Sequence, residues 1–171
     1  MIITVGIVTS SDRCYRGEAE DASTPLIRQW VTEYLHAEVQ HERIVPDERD
    51  RIRDTLVTWS DKEGLDLILT TGGTGFAARD VTPEATREVI ERETPGLAEA
   101  MRMEGLKKTP HAMLSRAVCG IRGRTLIINL PGSPKAVHDG LQVIGPALTH
   151  GIEILRGVAG ANERHEYKKL A

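Results

Sequence analysis

The sequence has few cysteines and no long apolar runs, and these shortages exclude whole classes of protein. Its 171 residues include two cysteines, Cys14 and Cys119, at a spacing that fits no zinc or redox motif. No stretch approaches the roughly 20 apolar residues that a membrane helix needs. Residues 1–8 lack the preceding positive charge and the cleavage pattern of an export signal. The expected location is therefore the cytoplasm, where both cysteines would remain thiols.

The chain also lacks an excess of positive charge and any grouped histidines. Its formal net charge is -3 and its pI is near 6.1, so it has no broad positive field for nucleic acid. The six histidines show no metal-ligand spacing, and no arrangement of serine, histidine and acid can be argued, so zinc and hydrolase readings are weak. With 40% apolar and 27% charged residues, the chain is predicted to be one ordinary globular domain.

Strand and helix patterns alternate along the chain, which predicts a three-layer α/β sandwich. Short apolar runs predict strands over 2–8, 39–45, 65–69, 117–121 and 125–130. Apolar residues at helical spacing predict helices that begin near Thr24-Pro25, after Asp47, at Pro83, after Pro95-Gly96 and near Val137, the last with a kink at Gly145-Pro146. The turn Arg122-Gly123 joins the last two strands as a hairpin, so the central sheet is predicted to be mixed and mostly parallel.

A glycine loop, Thr71-Gly72-Gly73-Thr74-Gly75, directly follows the third predicted strand. Glycines there let backbone N–H groups approach an anion closely, and α/β folds bind ligands at the carboxyl ends of their strands. The loop matches neither the Walker nor the Rossmann pattern, so any nucleotide must bind in another way. A plain tight turn is the alternative interpretation.

Two acidic residues are expected beside this loop. Asp80 precedes Thr82-Pro83-Glu84 at a predicted helix entrance, where it could hold Mg²⁺ or, alternatively, only stabilise the positive end of the helix. Asp47 follows the second predicted strand, and its alternative role is that of a helix cap. We predict that Asp47, Asp80 and Gly73 share one charged cleft.

Further polar residues follow the first and last predicted strands. Ser10, Ser11, Asp12 and Arg13 form a hydroxyl-rich, charged loop suited to a polyfunctional ligand, although a solvated loop is the simpler reading. Asn129, Pro131, Gly132 and Ser133 lie at the break after the last strand, where a proline-glycine turn is the alternative. Ser115 and Arg116 carry less weight, and Lys107 and Lys108 are read as a solvated helix end.

The loop and its surroundings resemble the signature of molybdopterin adenylyltransferases of the MogA type. The matching run is Thr71-Gly72-Gly73-Thr74-Gly75-Phe76-Ala77-Ala78-Arg79-Asp80-Val81-Thr82-Pro83-Glu84-Ala85-Thr86. The likeness continues, in the family's order, through residues 10–13, 44–48, 113–116 and 129–135. The hairpin over 118–129 is also similar to the G domain of gephyrin and of the plant cofactor-synthesis protein.

This resemblance implies a homotrimeric α/β protein that binds molybdopterin and Mg-ATP and makes adenylyl-molybdopterin for a molybdate-inserting partner enzyme. It implies a molybdopterin-binding domain over residues 1–160 and a polar C-terminal tail over 161–171. Asp80 and Asp47 match the family's two functionally important aspartates, here assigned to catalysis and Mg²⁺ binding. The predicted substrate-binding residues are Ser10, Ser11, Asp12, Arg13, Gly72, Gly73, Thr74, Gly75, Thr82, Pro83, Glu84, Ser115, Asn129, Pro131, Gly132 and Ser133.

The sequence departs from the family pattern at two positions and leaves two alternative functions open. Ala78 occupies a position where relatives frequently have proline, and Thr24 replaces a frequent glycine, so the stiffness of both loops is in question. The related MoaB-type branch is one alternative, although the long hairpin match favours the MogA type. A non-catalytic binding or scaffold module is the other.

Overall fold

The computed structural model describes residues 2–161, in which strands and helices alternate as predicted. The strands are β1 Thr4–Ser10, β2 Glu38–Val45, β3 Leu67–Thr71, β4 Arg92–Glu93, β5 Cys119–Arg122 and β6 Thr125–Leu130. The helices are α1 Asp12–Tyr15, α2 Ser23–Glu33, α3 Arg49–Asp61, α4 Thr82–Val89, α5 Pro95–Leu106 and α6 Pro134–Leu155, with a 3₁₀ helix over Pro110–Leu114. Of the predicted tail over 161–171, all but Ala161 lies outside the described residues.

One six-stranded sheet in the order β2-β1-β3-β6-β5-β4 forms the middle layer. The pairs β1–β2, β1–β3 and β3–β6 are parallel, whereas β5 pairs antiparallel with both β6 and β4. Every residue of β3 and β6 is buried, because apolar clusters cover both faces of the sheet. The predicted mixed, mostly parallel sheet in a three-layer sandwich is confirmed.

Strands β1 and β3 begin and end two residues later than predicted. Each includes a polar pair at its end, Thr9-Ser10 in β1 and Thr70-Thr71 in β3, which the apolar pattern assigned to loops. These hydroxyls can be buried because they have partners: Thr71 Oγ1 donates to the Pro131 carbonyl at 2.6 Å, and Thr9 Oγ1 donates to Asp21 Oδ2 at 2.7 Å. The sheet therefore carries polar groups up to the edge where the loops begin.

Three short elements were not predicted. The segment after β1 was expected to be a loop but contains α1, whose entrance is capped by Ser11 Oγ accepting from the Cys14 N–H at 3.2 Å. Two-residue β4 and the 3₁₀ helix are too short to show a period of their own.

Helix α6 covers one face of the sheet and continues through Gly145-Pro146, so the proline of the predicted kink lies inside the helix. A side chain at Gly145 would place its Cβ 2.7 Å from Cζ2 of Trp30, so this glycine lets α2 and α6 pack closely. Although α6 has 22 residues, no helix within 2–161 combines the length and apolar character needed to cross a membrane.

Candidate active site

The glycine loop leaves β3 at the carboxyl edge of the parallel strands. Gly72 and Gly73 have φ values of +90° and +63°, which side-chain-bearing residues rarely adopt. A Cβ on Gly72 would lie 2.2 Å from the Ser10 carbonyl oxygen, and one on Gly73 would lie 2.4 Å from Thr82 Oγ1. The loop therefore needs glycine for its conformation and for its close approach to β1 and α4.

The backbone of this loop presents a run of free donors. Within residues 2–161, none of the N–H groups from Gly73 to Phe76 donates a hydrogen bond. The Gly73 and Thr74 carbonyls, in contrast, accept from the N–H groups of Thr82 and Arg116, at 3.1 and 2.9 Å. Consecutive unpartnered N–H groups in a tight loop form an anion-binding concavity.

The Asp47 carboxylate lies beside this concavity. Its Oδ1 accepts from Ser10 Oγ at 2.7 Å, and its Oδ2 accepts from the Asp12 N–H at 2.9 Å. A Cβ on Gly73 would be 3.3 Å from Asp47 Oδ1. Helix α3 begins after Glu48 and receives no capping bond from Asp47, so the alternative reading of Asp47 as a helix cap is wrong.

Asp12 connects Asp47 to the far side of the loop. The Asp47 N–H donates to Asp12 Oδ1 at 3.1 Å, which makes the contact between the two aspartates reciprocal. Arg79 donates to both Asp12 oxygens, Nε to Oδ2 at 2.9 Å and Nη2 to Oδ1 at 2.8 Å. The hydrogen bonds from Arg79 lower the pKa of the Asp12 carboxyl, which keeps it ionised at neutral pH.

Asp80 lies farther along the same loop. Its Oδ2 accepts from the Ala77 N–H at 2.9 Å, and a Cβ on Gly75 would lie 2.8 Å from that oxygen. Oδ1 of Asp80 has no donor among the described residues. Asp80 therefore borders the glycine loop on the side of Gly75, whereas Asp47 borders it on the side of Gly73.

Arg116 holds the loop against the start of α4. Its Nε donates to the Gly75 carbonyl at 2.7 Å, and its other nitrogens donate to the Asp80 carbonyl and to Glu84 Oε1. Burial raises the pKa of the Glu84 carboxyl, but the hydrogen bond from Arg116 and other favourable contacts outweigh burial, so this pKa is lowered. Glu84 is thus an ionised partner of Arg116.

Two cavities flank the glycine loop. The first, of about 360 Å³, has a polar wall that includes the end of β1 and Asp47, which follows β2. It is lined by Thr9, Ser10, Ser11, Cys14, Glu20, Asp21, Ala22, Ser23, Asp47, Thr71, Gly72, Gly73, Gly132 and Pro134. The second, of about 410 Å³, is mostly apolar, is bordered by Lys108 and Lys135, and includes Thr74, Gly75, Ser115, Pro131 and Ser133. The loop and the Pro131–Ser133 turn separate them.

Several predicted site residues line neither cavity, so Asp47 and Gly73 share a cavity but Asp80 does not line it; the residues outside both linings are Asp12, Arg13, Asp80, Thr82, Pro83, Glu84 and Asn129. Asn129 is fully buried, with its amide donating to Thr70 Oγ1 and Thr86 Oγ1 and its Oδ1 accepting from the Val118 N–H. The Arg13 side chain is exposed, and Pro83 is buried at the start of α4. The Thr82 hydroxyl is buried against Gly73 without a hydrogen-bond partner among residues 2–161.

The sequence reasoning gave Arg79, Arg116 and Lys108 little or no role. Arg79 and Arg116 both lie inside the matched segments, and that was the available signal for them. Lys108 was read as a solvated helix end, but it borders the second cavity and pairs with Asp139 at 2.5 Å. Cys119 stays unassigned, since burial raises the pKa of its thiol to about 12 and keeps it protonated.

Comparison with known proteins places this geometry in context. Residues 6–150 match the family model described as a probable molybdopterin binding domain. The chain is 44% identical over 156 residues to a molybdopterin adenylyltransferase of Helicobacter pylori, covering 91% of this chain and 89% of that protein. It is 48% identical over 153 residues to the Drosophila melanogaster molybdenum cofactor synthesis protein cinnamon, covering 90% of this chain but only 26% of that protein.

A solved structure shares the whole fold. The crystal structure of the molybdopterin biosynthesis enzyme MoaB from Thermus thermophilus matches with a TM-score of 0.86 and 52% identity, covering 91% of this chain and 98% of that one. The similarity therefore extends over the sheet, both helical layers and the loop that carries the site.

Proposed function

The chain belongs to the molybdopterin-binding family that includes the molybdopterin adenylyltransferases, and from this membership we propose that it transfers AMP from Mg-ATP to molybdopterin. The products are adenylyl-molybdopterin and pyrophosphate. One observation carries the proposal: Gly73, whose N–H is free, and Asp47 line the same cavity at the carboxyl edge of the sheet. Such a site suits an anion that arrives with a metal ion.

The two cavities suit two different ligands. The cavity beside Asp47 is lined by several hydroxyl and carboxylate side chains and by Gly73, whose N–H is free, so we assign the ATP phosphates to it. The second cavity is mostly apolar and has Lys108 and Lys135 at its border, which suits a planar pterin with an anionic phosphate. Because the loop separates them, the molybdopterin phosphate and the α-phosphate of ATP would meet across Gly73 to Gly75.

In the proposed reaction, an oxygen of the molybdopterin phosphate attacks the α-phosphorus of ATP in line. A new P–O bond forms while the bond from the α-phosphorus to the bridging oxygen of the β-phosphate breaks, and that oxygen leaves with pyrophosphate. Free N–H groups of the loop stabilise the negative charge that develops on the α-phosphate. The protein chiefly positions the reactants, and the buried Thr82 hydroxyl beside Gly73 is available as a further hydrogen-bonding group.

The acidic side chains fit a magnesium ion that arrives with the nucleotide. Mg²⁺ is usually held by one or two carboxylates together with substrate phosphates. Within residues 2–161, no three Asp, Glu, His or Cys side chains form a group suited to hold a metal by themselves. Asp47 and Asp80 would hold the ion, which would neutralise phosphate charge next to these carboxylates.

The test is pyrophosphate release from ATP, measured with and without molybdopterin. We expect release that depends on molybdopterin, and Asp80→Asn and Asp47→Asn should each lower turnover by roughly 100-fold or more, the scale of losing one preorganised charge contact. The matched control is Asp54→Asn, since Asp54 is a surface aspartate of α3 paired with Arg53. Near-normal turnover in the Asp80 and Asp47 variants would refute their assignment.

A non-catalytic, molybdopterin-binding module of the MoaB type is the second candidate. The 52% identity to the Thermus thermophilus protein named MoaB exceeds the identity to the adenylyltransferase of Helicobacter pylori, so it supports the MoaB branch, but that protein is itself described as an enzyme and lends no support to a lack of catalysis. Calorimetry distinguishes the two functions: saturable molybdopterin binding without pyrophosphate release favours the module.

The proposal also covers location and assembly. We propose that the reaction runs in the cytoplasm, where Cys14 and Cys119 stay reduced, and that the product passes to a molybdate-inserting partner enzyme. We further propose a homotrimer, which the apolar face around Leu97, Ala100 and Val143 on α5 and α6 supports. Light scattering should then give about three times the 18.8 kDa chain mass.

A further inference from the structure

Arg79 bridges the two sides of the cleft. From the loop before α4 its guanidinium reaches Asp12 in α1, 67 positions away in sequence, and donates to both carboxylate oxygens. The Arg79 side chain is 58% exposed. Exposed ion pairs usually contribute little to overall stability, so stability does not account for the two hydrogen bonds of this contact. The consequence of the contact is local, because it fixes the positions of the two residues that it joins, Arg79 and Asp12.

On one side, hydrogen bonds of Asp12 connect Arg79 to Asp47. The Asp12 N–H donates to Asp47 Oδ2, and the Asp47 N–H donates to Asp12 Oδ1, so the two residues hold each other. Apart from Arg79, the Asp47 N–H is the one donor to the Asp12 carboxylate among residues 2–161. Helix α1, which carries Asp12, has only four residues and does little to fix it.

On the other side, Arg79 directly precedes Asp80. The Asp80 carbonyl is held by Arg116, and its carboxylate accepts from the Ala77 N–H. Arg79 therefore ties the loop that carries Asp80 to the β1–β2 edge that carries Asp47. With this contact removed, the pairing between Asp12 and Asp47 loses its support from the loop.

We propose that Arg79 is a positioning residue that fixes Asp47 through Asp12 and sets where Asp47 lies relative to Asp80. The catalytic consequence rests on the proposed function. The structural part concerns hydrogen bonds within the chain and can be tested without any ligand.

The first test is backbone amide exchange in the full-length chain, followed by NMR. In Arg79→Gln, the Asp12 and Asp47 amides should exchange about tenfold faster, because the hydrogen bonds that protect them open more often. The Ser23 and Thr24 amides, which donate to Asp21, should be unchanged. Arg79→Lys keeps the positive charge but not the paired N–H groups that donate to both oxygens of Asp12. It should therefore restore little protection of the Asp12 and Asp47 amides.

The control variant is Arg87→Gln, in which an exposed arginine of α4, 3.9 Å from Glu93, is replaced. It should leave the exchange of Asp12 and Asp47 unchanged. Because Arg79 is exposed, the melting temperature of Arg79→Gln should stay within about 4 °C of the wild type. Unchanged exchange at both aspartates in Arg79→Gln would overturn the proposal.

The second test is a double-mutant cycle on pyrophosphate release. Arg79→Gln should lower kcat about tenfold with a smaller change in KM for Mg-ATP, since it misplaces groups rather than removing a ligand contact. If Arg79 acts through Asp12, then Asp12→Asn with Arg79→Gln should be no slower than Asp12→Asn alone. Multiplied losses would mean that Arg79 contacts the ligand itself, which contradicts the proposal.

The two tests separate the failure of each idea. A wild-type chain that releases no pyrophosphate refutes the proposed function, and amide exchange then still decides whether Arg79 positions Asp47. A wild-type chain that is active, with exchange unaltered in Arg79→Gln, leaves the function standing and removes the role of Arg79.

Discussion

Gly73 has a backbone conformation and a set of neighbours that together leave no room for a side chain. Its φ of +63° is strained for any other residue, and a Cβ would lie 2.4 Å from Thr82 Oγ1 and 3.3 Å from Asp47 Oδ1. The positive φ and the close contacts have the same origin, since the chain must turn sharply to bring its N–H groups beside Asp47. Conformation and chemistry therefore depend on the same residue.

Gly73→Ala should lower both stability and turnover. Forcing a side-chain-bearing residue into this region costs about 1 to 3 kcal/mol, and the clash with Thr82 displaces the loop donors from their positions. The matched control is Gly151→Ala in α6, where a Cβ meets nothing within 4 Å and φ is not positive, so it should stabilise by about 0.4 to 1 kcal/mol. Urea unfolding and pyrophosphate release measure both effects, and a Gly73→Ala chain with normal stability and turnover would contradict this reading.

At this scale the sequence predicted some residues better than others. The closeness of Asp47 and Gly73 could be predicted from the sequence because each follows a parallel strand, and parallel strands end at one edge of a sheet. The contact between Arg79 and Asp12 could not, because it depends on how a loop folds back over 67 positions. Asn129 was predicted to contact substrate because it lies near the end of β6, but strand position does not tell which face a side chain occupies.

Among the secondary-structure elements, β6, β3, α4 and β5 are joined through one buried side chain. The Asn129 amide donates to Thr70 Oγ1 in β3 at 3.0 Å and to Thr86 Oγ1 in α4 at 2.9 Å. Its oxygen accepts from the Val118 N–H, next to β5, at 3.2 Å. Since α4 follows the glycine loop, the hydrogen bonds of Asn129 also hold the helix that supports the loop.

Asn129→Ala should destabilise the fold. Each buried group left without a partner costs roughly 1 to 3 kcal/mol, so the free energy of unfolding should fall by about 2 to 4 kcal/mol. Gln142→Ala, which removes an exposed amide from α6, should change it by no more than about 0.5 kcal/mol. If Asn129 contacted substrate instead, its removal would raise KM and leave urea unfolding unaltered.

Element boundaries were the least predictable part of the fold. Apolar runs located β1 and β3 but ended two residues early, because their final hydroxyl-bearing residues are buried through hydrogen bonds that span 12 and 60 positions. Thr24, which the resemblance marked as a departure from a frequent glycine, is accommodated in α2 because its Oγ1 donates to Asp21 Oδ2 at 2.6 Å. Such compensation becomes visible only once α2 is packed against β1.

For the whole molecule, charge is divided between the two ends of the sheet. The carboxyl end gathers Asp12 and Asp47 around a cleft that can accept a ligand. At the opposite end, Asp66 and Arg156 form a largely buried ion pair that joins the start of β3 to the end of α6. Arg156 also donates to the Ile2 carbonyl at 2.7 Å, so this pair closes the fold between its first and last described elements.

The ion pair between Asp66 and Arg156 predicts a specific dependence of stability on pH. Burial raises the pKa of the Asp66 carboxyl, but the hydrogen bonds from Arg156 and Thr4 outweigh burial, so its pKa lies below the ordinary value of 3.8. A carboxyl with a lowered pKa in the folded state stabilises the fold above its ordinary pKa and loses that contribution as pH falls through its folded value. Stability from Asp66 should thus be fully present at neutral pH and disappear in acid below 3.8.

The free energy of unfolding of Asp66→Asn should therefore be lower than that of the wild type at pH 7, and this difference should shrink in acid. Breaking a buried pair by removing one charge costs about 3 to 5 kcal/mol, because the guanidinium of Arg156 loses its ionic partner. Asp54→Asn on the surface should shift the free energy of unfolding by no more than about 1 kcal/mol at either pH. Urea unfolding across the acid range checks this, and a difference between Asp66→Asn and wild type that stays constant with pH would mean that packing, rather than charge, joins α6 to the sheet.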